Sequence, residues 1–517
     1  MKKVSIVFFI FLNYSISFSQ SESSFLENQD GFIVGENHIT GKNIVAKTHA
    51  FDGEISTFLY DTKYNLAALS INKESSLAPG KLIIYNPDTE EITDERMVNT
   101  KQDYSSFHIY EGLLFEYYKS GKYYIDINSG GARKWSTKNM ILHANKDYNV
   151  AISFVLNTDN TISLIKGIDI PTGKILWSRN MKKNLGLDAM KYLNDSVILI
   201  SSSGLHAMHI RTGKGWKHNA TTTSKSGGPI GVSIGVGLTL GLLTGLYFIP
   251  TYPYISLYGI SSNILIDNHK IYFASADELV CLDEQGKTIW KQKLSKKKST
   301  SSQLFTQNGT LYLMNKGAVA KGNSILKSGE AYLSAYDANS GSLLFLANIE
   351  PDNPKPMLDA IVKGNKLCII YPDQILTLSL STGAYVKKQP YDANNKGELR
   401  YFLGNNVYAI ENNEVYDLPH AELGAYCVFT AFKNLLIFDD KLDIDKIINI
   451  DNLCTHSFSI RDVDFFKRNN DLLGIDSNGN IIAIIRDISD KAVTANNKIY
   501  DVKSNTLLEI DLEQIFN

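Results

Sequence analysis

One turn, repeated along the chain, restricts the fold more than any other feature. Its fullest copy is Gly167–Trp177, which reads G-I-D-I-P-T-G-K-I-L-W. Ile168 and Ile170 alternate with Asp169, the period of a strand with one buried face. Pro171-Thr172-Gly173-Lys174 supplies the turn, with Gly173 where the backbone needs φ > 0. Ile175, Leu176 and Trp177 begin the return strand. Tyr124–Gly130 leads in the same way to Trp135, Ala207–Lys214 (with Gly213) to Trp216, and Cys281–Lys287 (with Gly286) to Trp290. Ala335–Gly341 leads to Phe345, and Thr377–Gly383 to Tyr385 and Val386. Weaker copies lie near Ile84, Ile437 and Gly474. The four tryptophans of the chain, Trp135, Trp177, Trp216 and Trp290, all fall just after such a turn. That placement assigns them to packing between repeats.

The turn glycines Gly130, Gly173 and Gly213 recur at a spacing of about 40 residues, as do Gly341 and Gly383, which is the period of propeller blades. The expected fold is all-β: a single β-propeller of eight four-stranded antiparallel blades, with seven as the alternative. Nine candidate units can be marked, the first or last incomplete. They lie near 54–97, 105–140, 143–181, 190–222, 263–295, 303–350, 358–390, 398–448 and 463–512. Residues 20–53 form a polar N-terminal segment expected to cap the ring or supply a closing strand. The propeller proper is expected over 54–517, interrupted by a Gly-rich apolar insertion at about 224–262. Propellers close by pairing one terminal strand with the opposite end of the chain, because closure removes exposed edges. Asn497–Leu512 is a candidate for that strand.

The pattern A-x-D-x-x-T-G-K-x-x-W resembles the repeat of the pyrroloquinoline-quinone-like β-propellers. Gly167–Trp177 matches it at every named position but the first, where Gly167 replaces Ala. The resemblance extends from about residue 60 to about residue 510. It implies that each motif tryptophan docks between adjacent blades. It is specific for fold and not for function, since the family includes quinoprotein dehydrogenases and non-catalytic envelope scaffolds. Its quinoproteins use an adjacent Cys pair, a Ca²⁺ held by acidic and amide side chains, an Asp base and a Trp stacked on the quinone. This chain has no adjacent Cys pair, and its tryptophans all belong to the repeat. The expectation is therefore the non-catalytic scaffold branch, with no quinone, no catalytic residues and no cofactor.

Composition agrees with an exported all-β chain. There are 28 Tyr and 23 Phe against 12 Pro in 517 residues, and the net charge is only −2, so nothing suggests a nucleic-acid partner. Lys2 and Lys3, the apolar run Val4–Leu12 and the small-x-small site Ser17-Phe18-Ser19 read as a secretory signal over 1–19. The apolar run is too short to span a membrane as a helix. The absence of Cys beside the cleavage site argues against a lipoprotein. The four cysteines, Cys281, Cys368, Cys427 and Cys454, are widely spaced and form no disulfide framework. A buried thiol is expected at Cys281, and a Cys427–Cys454 bridge stays open.

Other motifs weigh little against this frame. Gly231-Val232-Ser233-Ile234-Gly235 matches the G-x-S-x-G nucleophile elbow, which works only at a strand-to-helix turn of an α/β sheet. His206 and His209 would point to opposite faces of a strand and could not chelate one metal. Asp476–Asn480 and Asp439–Asp445 carry oxygen ligands but lack the Gly and distal Glu of an EF-hand loop, so Ca²⁺ there has no support beyond composition. Lys296-Lys297-Lys298 reads as a solvated loop.

Gly228–Ile260 is the stretch that the repeat does not explain. Ile230, Val232, Ile234, Val236, Leu238, Leu240 and Leu242 alternate with Gly, Ser and Thr at period 2, the pattern of a strand. Three readings stand: a hairpin packed on the propeller itself, an arm that docks a partner, or membrane insertion. The expected function is an exported, non-catalytic scaffold that binds another envelope protein. A small-ligand or glycan binder, or a degenerate quinoprotein using the funnel, is the alternative. N-terminal sequencing of the native protein should find residues 1–19 removed and Gln20 at or near the new terminus. An intact Met1 as the main species would remove the case for export.

Overall fold

The computed structural model describes residues 27–517 except 220–259 and shorter stretches, chiefly 73–79, 99–105, 127–131, 157–161, 181–188, 295–301, 403–406, 419–425, 431–433, 439–443 and 450–453, with isolated gaps of one to three residues elsewhere. Among the described residues are eight separate four-stranded sheets and one ten-stranded sheet, with two small inserted hairpins. Pairing within each four-stranded sheet is antiparallel. The eight sheets occupy 54–98, 106–137, 140–180, 189–219, 265–293, 302–348, 359–390 and 399–449, and are called the first to eighth units. The hairpin Ala318–Lys321/Ser324–Lys327 is inserted in the sixth, and Val407–Glu411/Glu414–Leu418 in the eighth. The ten-stranded sheet contains a ninth unit, 454–485, and a tenth, made of 493–495, 498–503 and 506–511 with Asn43–Ala50 as its fourth strand.

The described residues thus hold ten four-strand units, where eight (or seven) blades were expected. The discrepancy has a physical source. Residues 463–512 look like one blade because neither of the units they contribute to carries a repeat tryptophan. The last of these supplies only three strands from its own stretch and borrows the fourth from the other end of the chain.

The repeat turn has one construction. In the third unit Gly173 N–H donates to Asp169 O at 2.7 Å and Asp169 N–H to Lys174 O at 2.8 Å. Gly173 has φ +70°, and the pairing slips by one residue between Gly167 and Ile168. This is a tight turn followed by a bulge. The same slip occurs at Cys281/Leu282, Ala335/Tyr336 and Thr377/Leu378. The bulge brings Trp177 directly opposite Gly167, Trp290 opposite Cys281 and Phe345 opposite Ala335. The large ring therefore lies across from a small residue on the neighbouring strand.

Apolar cores lie between successive units rather than within them. One cluster joins the second, third and fourth units. Others join the fourth to the fifth, the fifth to the sixth, the sixth to the seventh and the seventh to the eighth. Another joins the ninth to the tenth, the next joins the tenth to the first through Tyr500, Leu507, Ala67 and Leu69, and the last joins the first to the second. Between the eighth and ninth the Lys446 ammonium donates to Asn478 O, Gly479 O and Asn480 Oδ1.

Closure is built from both ends of the chain. Asn43–Ala50 pairs with Thr506–Asp511, and Gly31–Asn37 lies between Asn43–Ala50 and Ile481–Ile485, so it bonds the outer edges of the ninth and tenth units together. Gln514, in the short helix Glu513–Phe516, bonds both the N–H and the C=O of Val45 at 2.9 Å. Buried Asn37 donates to Gln514 O and Ile515 O and accepts from the N–H groups of Ile39 and Thr40. Where the tenth unit meets the first, Glu509 accepts from His49 (3.1 Å) and pairs with Lys498 (2.8 Å). Lys498 also reaches Asp88 at 3.0 Å, and the Tyr85 hydroxyl lies 2.7 Å from His49 Nδ1. The Tyr60 and Tyr500 rings stack with centroids 4.7 Å apart.

Burial by itself would raise the Glu509 carboxyl, but the bonds from His49 and Lys498 outweigh it and hold it below the ordinary value of 4.5. A carboxylate so depressed stabilises the fold fully above its free-chain value and loses that stabilisation as pH falls through its lower folded value. Glu509→Gln should therefore cost about 3 kcal/mol near neutrality, the usual loss when one partner of a buried pair is removed. The deficit should shrink toward pH 3. Urea unfolding at several pH values tests this, and a deficit independent of pH would show that the charge does not matter.

Candidate functional site

The repeat tryptophans form a chain of contacts from unit to unit. Trp135 Nε1–H donates to Ile170 O (2.5 Å), Trp177 to Ile210 O (2.8 Å), Trp216 to Glu284 O (2.7 Å) and Trp290 to Ala338 O (3.2 Å). Each acceptor follows the turn's first residue (Asp169, His209, Asp283 or Asp337) in the next unit. Each indole also covers that next turn's glycine: Trp135 lies on Gly173, Trp177 on Gly213, Trp216 on Gly286 and Trp290 on Gly341. At Gly173 an added Cβ would fall 2.5 Å from Trp135 Cγ. The glycine is thus required twice, by φ > 0 and by the ring seated on its face. Phe345 covers Gly383 in the same way but has no N–H. There the Tyr312 hydroxyl donates to Leu380 O at 3.0 Å, the equivalent carbonyl. Sequence reasoning did not find Tyr312. Tyr272 makes the same bond to Ala338 O at 3.2 Å beside Trp290, so the signal available was the recurrence of Tyr at that strand position.

The other sequence candidates are dispersed. Gly130, Ile230, Val232, Ile234, Val236, Leu238, Leu240 and Leu242, the G-x-S-x-G run, the lysine run 296–298 and residues 439–443 lie outside the described residues. His206 is buried, and burial, then Arg179 and Lys217, push its imidazole down to about 4. His209 instead accepts from Arg211 N–H at 3.2 Å. At Asp476–Asn480 the Asp476 carboxylate accepts from the N–H groups of Asn478 and Asn480. The Lys446 ammonium occupies the outward carbonyls of this turn, where a cation would have to sit. Among the described residues no group of three or more His, Cys, Asp and Glu is placed to hold a metal. Cys281 and Cys368 are buried free thiols, pushed up by burial to about 11 and about 12. Thiols held protonated in this way are poor nucleophiles. The side chains of Cys427 and Cys454 are outside the described set.

A cleft of about 310 Å³ opens between the sixth and seventh units, on the face opposite the repeat turns. One side is the two stalks of the inserted hairpin, at Lys316–Gly317 and Gly329–Ala331. The other is the connection, at Asn348–Asp352 with Lys355 and Met357, and the end of the strand Lys366–Tyr371 forms the back. The stalks are fixed by Asn315, whose amide donates to Glu330 O (2.7 Å) and accepts from Ser302 (3.2 Å). The connection is fixed by Glu350 N–H donating to the Tyr385 hydroxyl (2.7 Å) and Asp352 N–H to Gln374 (3.3 Å). Lys355 pairs with Asp373 at 3.5 Å, and Lys388 with Asp352 at 3.4 Å. Tyr371 is almost fully buried in the lining, and its hydroxyl has no hydrogen-bond partner. Burial, then the nearby Tyr385, raise its pKa far above that of a free tyrosine, so it stays a neutral O–H. Nothing in the repeat signals this cleft, because it is made of inserted and connecting residues.

Trp177→Ala should destabilise the protein by about 3–5 kcal/mol, the cost of emptying a buried aromatic site. Trp177→Phe, which removes chiefly the bond to Ile210 O, should cost about 1 kcal/mol. Trp290 should behave like Trp177, and the half-buried Trp135 and Trp216 should cost less. Equilibrium unfolding in urea tests the series, and equal stability of all variants with wild type would remove the docking role.

No protein-family model matches the chain, and no curated protein matches it. Among solved structures it is similar to BamB from Moraxella catarrhalis, at 11% identity over 73% of this chain and 94% of that one, with a TM-score of 0.34. It is also similar to apo AztD from Citrobacter koseri, at 11% identity over 71% and 93%, with a TM-score of 0.35. No residue role is carried over from either.

Proposed function

We propose that the chain is an exported, non-catalytic scaffold of the cell envelope, a ten-bladed propeller related to the pyrroloquinoline-quinone-like repeat proteins, whose rim docks another protein. The observation that carries the reading is an apolar patch on two adjacent outer strands. Leu343, Leu344 and Leu346 of the sixth unit are 54%, 57% and 44% exposed, and Val386 of the seventh is 53% exposed. Tyr385 joins the two strands, since its hydroxyl bonds the backbone at Asn348 and Glu350. Several exposed apolar residues on neighbouring strands mark protein docking sites more than single exposed residues do. Ile175, Leu176 and Ile289 carry the same exposure to the outer strands of the third and fifth units. Export is supported by the basic, apolar and small-residue pattern of 1–19. Among the described residues no helix is long and apolar enough to cross a membrane.

The test is cross-linking in intact envelopes with wild type and with Leu343→Ser/Leu344→Ser/Val386→Ser. The triple variant should melt at the wild-type temperature and lose a specific cross-linked species. An unchanged cross-linking pattern would sink the rim as the docking surface.

A further inference from the structure

The outer strand of the sixth unit has an edge unlike those of its neighbours. In each of the four-stranded units the outer strand ends the sheet, so its outward backbone groups lie outside the ladder. Such an edge accepts a strand from another molecule unless something blocks it, commonly a charged side chain or a proline. Among the described outer strands of these eight units, every one but Leu343–Asn348 carries a charged residue. Examples are Arg179 in the third unit, Lys291 in the fifth and Lys388 in the seventh, where Pro390 adds a second block. Leu343–Asn348 reads L-L-F-L-A-N, with neither charge nor proline. The charge-free strand Ile481–Ile485 of the ninth unit is different, because Gly31–Asn37 pairs along it. The chain thus covers one such edge with its own strand and leaves the other open.

The open edge has a definite centre. Ile349 N–H donates to Ala331 O, one residue beyond the ladder's last pair, Tyr332 and Asn348. Antiparallel strands alternate, so Ala347 and Phe345 also turn their backbone groups inward, and Leu346 between them turns its N–H and C=O outward. Asn348 points the same way as Leu346, but its C=O already accepts from the Tyr385 hydroxyl. The side chains of Phe345 and Ala347 press on Gly383 of the seventh unit. Leu346 stands on the opposite face and is exposed.

The lack of charge selects the occupant. A foreign strand can bring the opposite sign to a charged edge, and that pairing is favourable. Only a copy of the same chain must bring the same sign to the same place, so a charge-free edge is the condition for self-pairing. We infer that two copies of this chain join as a two-fold dimer through Leu343–Asn348, paired antiparallel, with Leu346 opposite Leu346 of the second copy and exchanging two backbone hydrogen bonds with it. Each copy has one such edge among its described outer strands, so the pairing closes at two. Edge pairing lies in the plane of the sheets, while side chains stand perpendicular to it. The exposed leucines of both copies therefore stay exposed and form one continuous face. The dimer doubles the patch read above as the docking surface for another protein. It uses the backbone edge and not that face, so the two readings fail independently.

Analytical ultracentrifugation of the purified chain, with no other protein present, tests it. Wild type should sediment as a dimer at micromolar concentration. Leu346→Pro removes an N–H that the unit's own ladder does not use, a position where an edge strand tolerates proline. That variant should melt near the wild-type temperature and sediment as a monomer. Leu346→Lys and Leu346→Glu should each be monomeric. An equal mixture of the two should restore the dimer, because the two-fold sets position 346 opposite itself. The Leu343→Ser/Leu344→Ser/Val386→Ser chain should still dimerise, which separates the edge from docking at the rim. Four results would overturn the inference: a wild type that stays monomeric at high micromolar concentration, a folded Leu346→Pro chain that still dimerises, a Lys/Glu mixture that stays monomeric, or loss of the dimer in the triple serine variant. Should Leu346→Pro fail to fold, the Lys/Glu pair decides.

Discussion

The architecture depends on one contact, an indole laid on the glycine of the next unit's turn. The ring needs a flat face with no Cβ, and the turn needs a residue that accepts φ near +70°. A single glycine provides both. The indole N–H then satisfies a carbonyl of the same turn, so packing and hydrogen bonding fix the same separation between units. Units joined in this way cannot slide without losing both. That explains why the apolar clusters run between sheets: each sheet has two faces to cover and finds its partners before and after it in the chain.

Where the indole is missing, the structure meets the same two demands by other means. Phe345 keeps the ring on Gly383, and Tyr312 supplies the donor. Between the eighth and ninth units Lys446 takes the turn's carbonyls. At the junction of the tenth and first, the buried His49, Glu509 and Tyr85 are linked to Lys498 and, at the surface, Asp88, beside the stacked Tyr60 and Tyr500 rings. Such a group must be fully paired to hold, since a half-satisfied one is worse than none. The order of units is thus maintained by the indole contact from the second unit to the sixth and by other contacts at the remaining junctions.

Much of this was legible in the sequence, and the limits are physical. Gly167–Trp177 displayed strand, turn and return strand because its local chemistry and its tertiary role require the same residues. Trp135, Trp216 and Trp290 could be placed by the same logic. The number of units could not. Residues 454–511 carry only the weak copy near Gly474 and no repeat tryptophan, and the tenth unit is completed by Asn43–Ala50, a pairing no local pattern announces. The cleft was invisible for another reason. Its residues come from a hairpin stalk, a connection and a strand end, and their meeting is a product of the ring's geometry. Tyr371 reads in sequence as one more core aromatic, and only its unpaired hydroxyl sets it apart.

The borrowed strand also fixes an order of events. A chain made from its N-terminus presents Asn43–Ala50 hundreds of residues before Thr506–Asp511 exists. Closing a loop of that length is entropically dear, but the cost grows only slowly with length, so the delay matters more than the distance. Until the last strand emerges, two open edges wait: that of the early strand and that of the incomplete last unit. Each accepts the other's sequence and does not distinguish its own chain from a neighbour's. At high local concentration an early strand from one molecule can complete the last unit of a second. The same hydrogen bonds that seal a single ring would then link molecules head to tail, and which of the two forms results would depend on the speed with which a chain's own two ends meet.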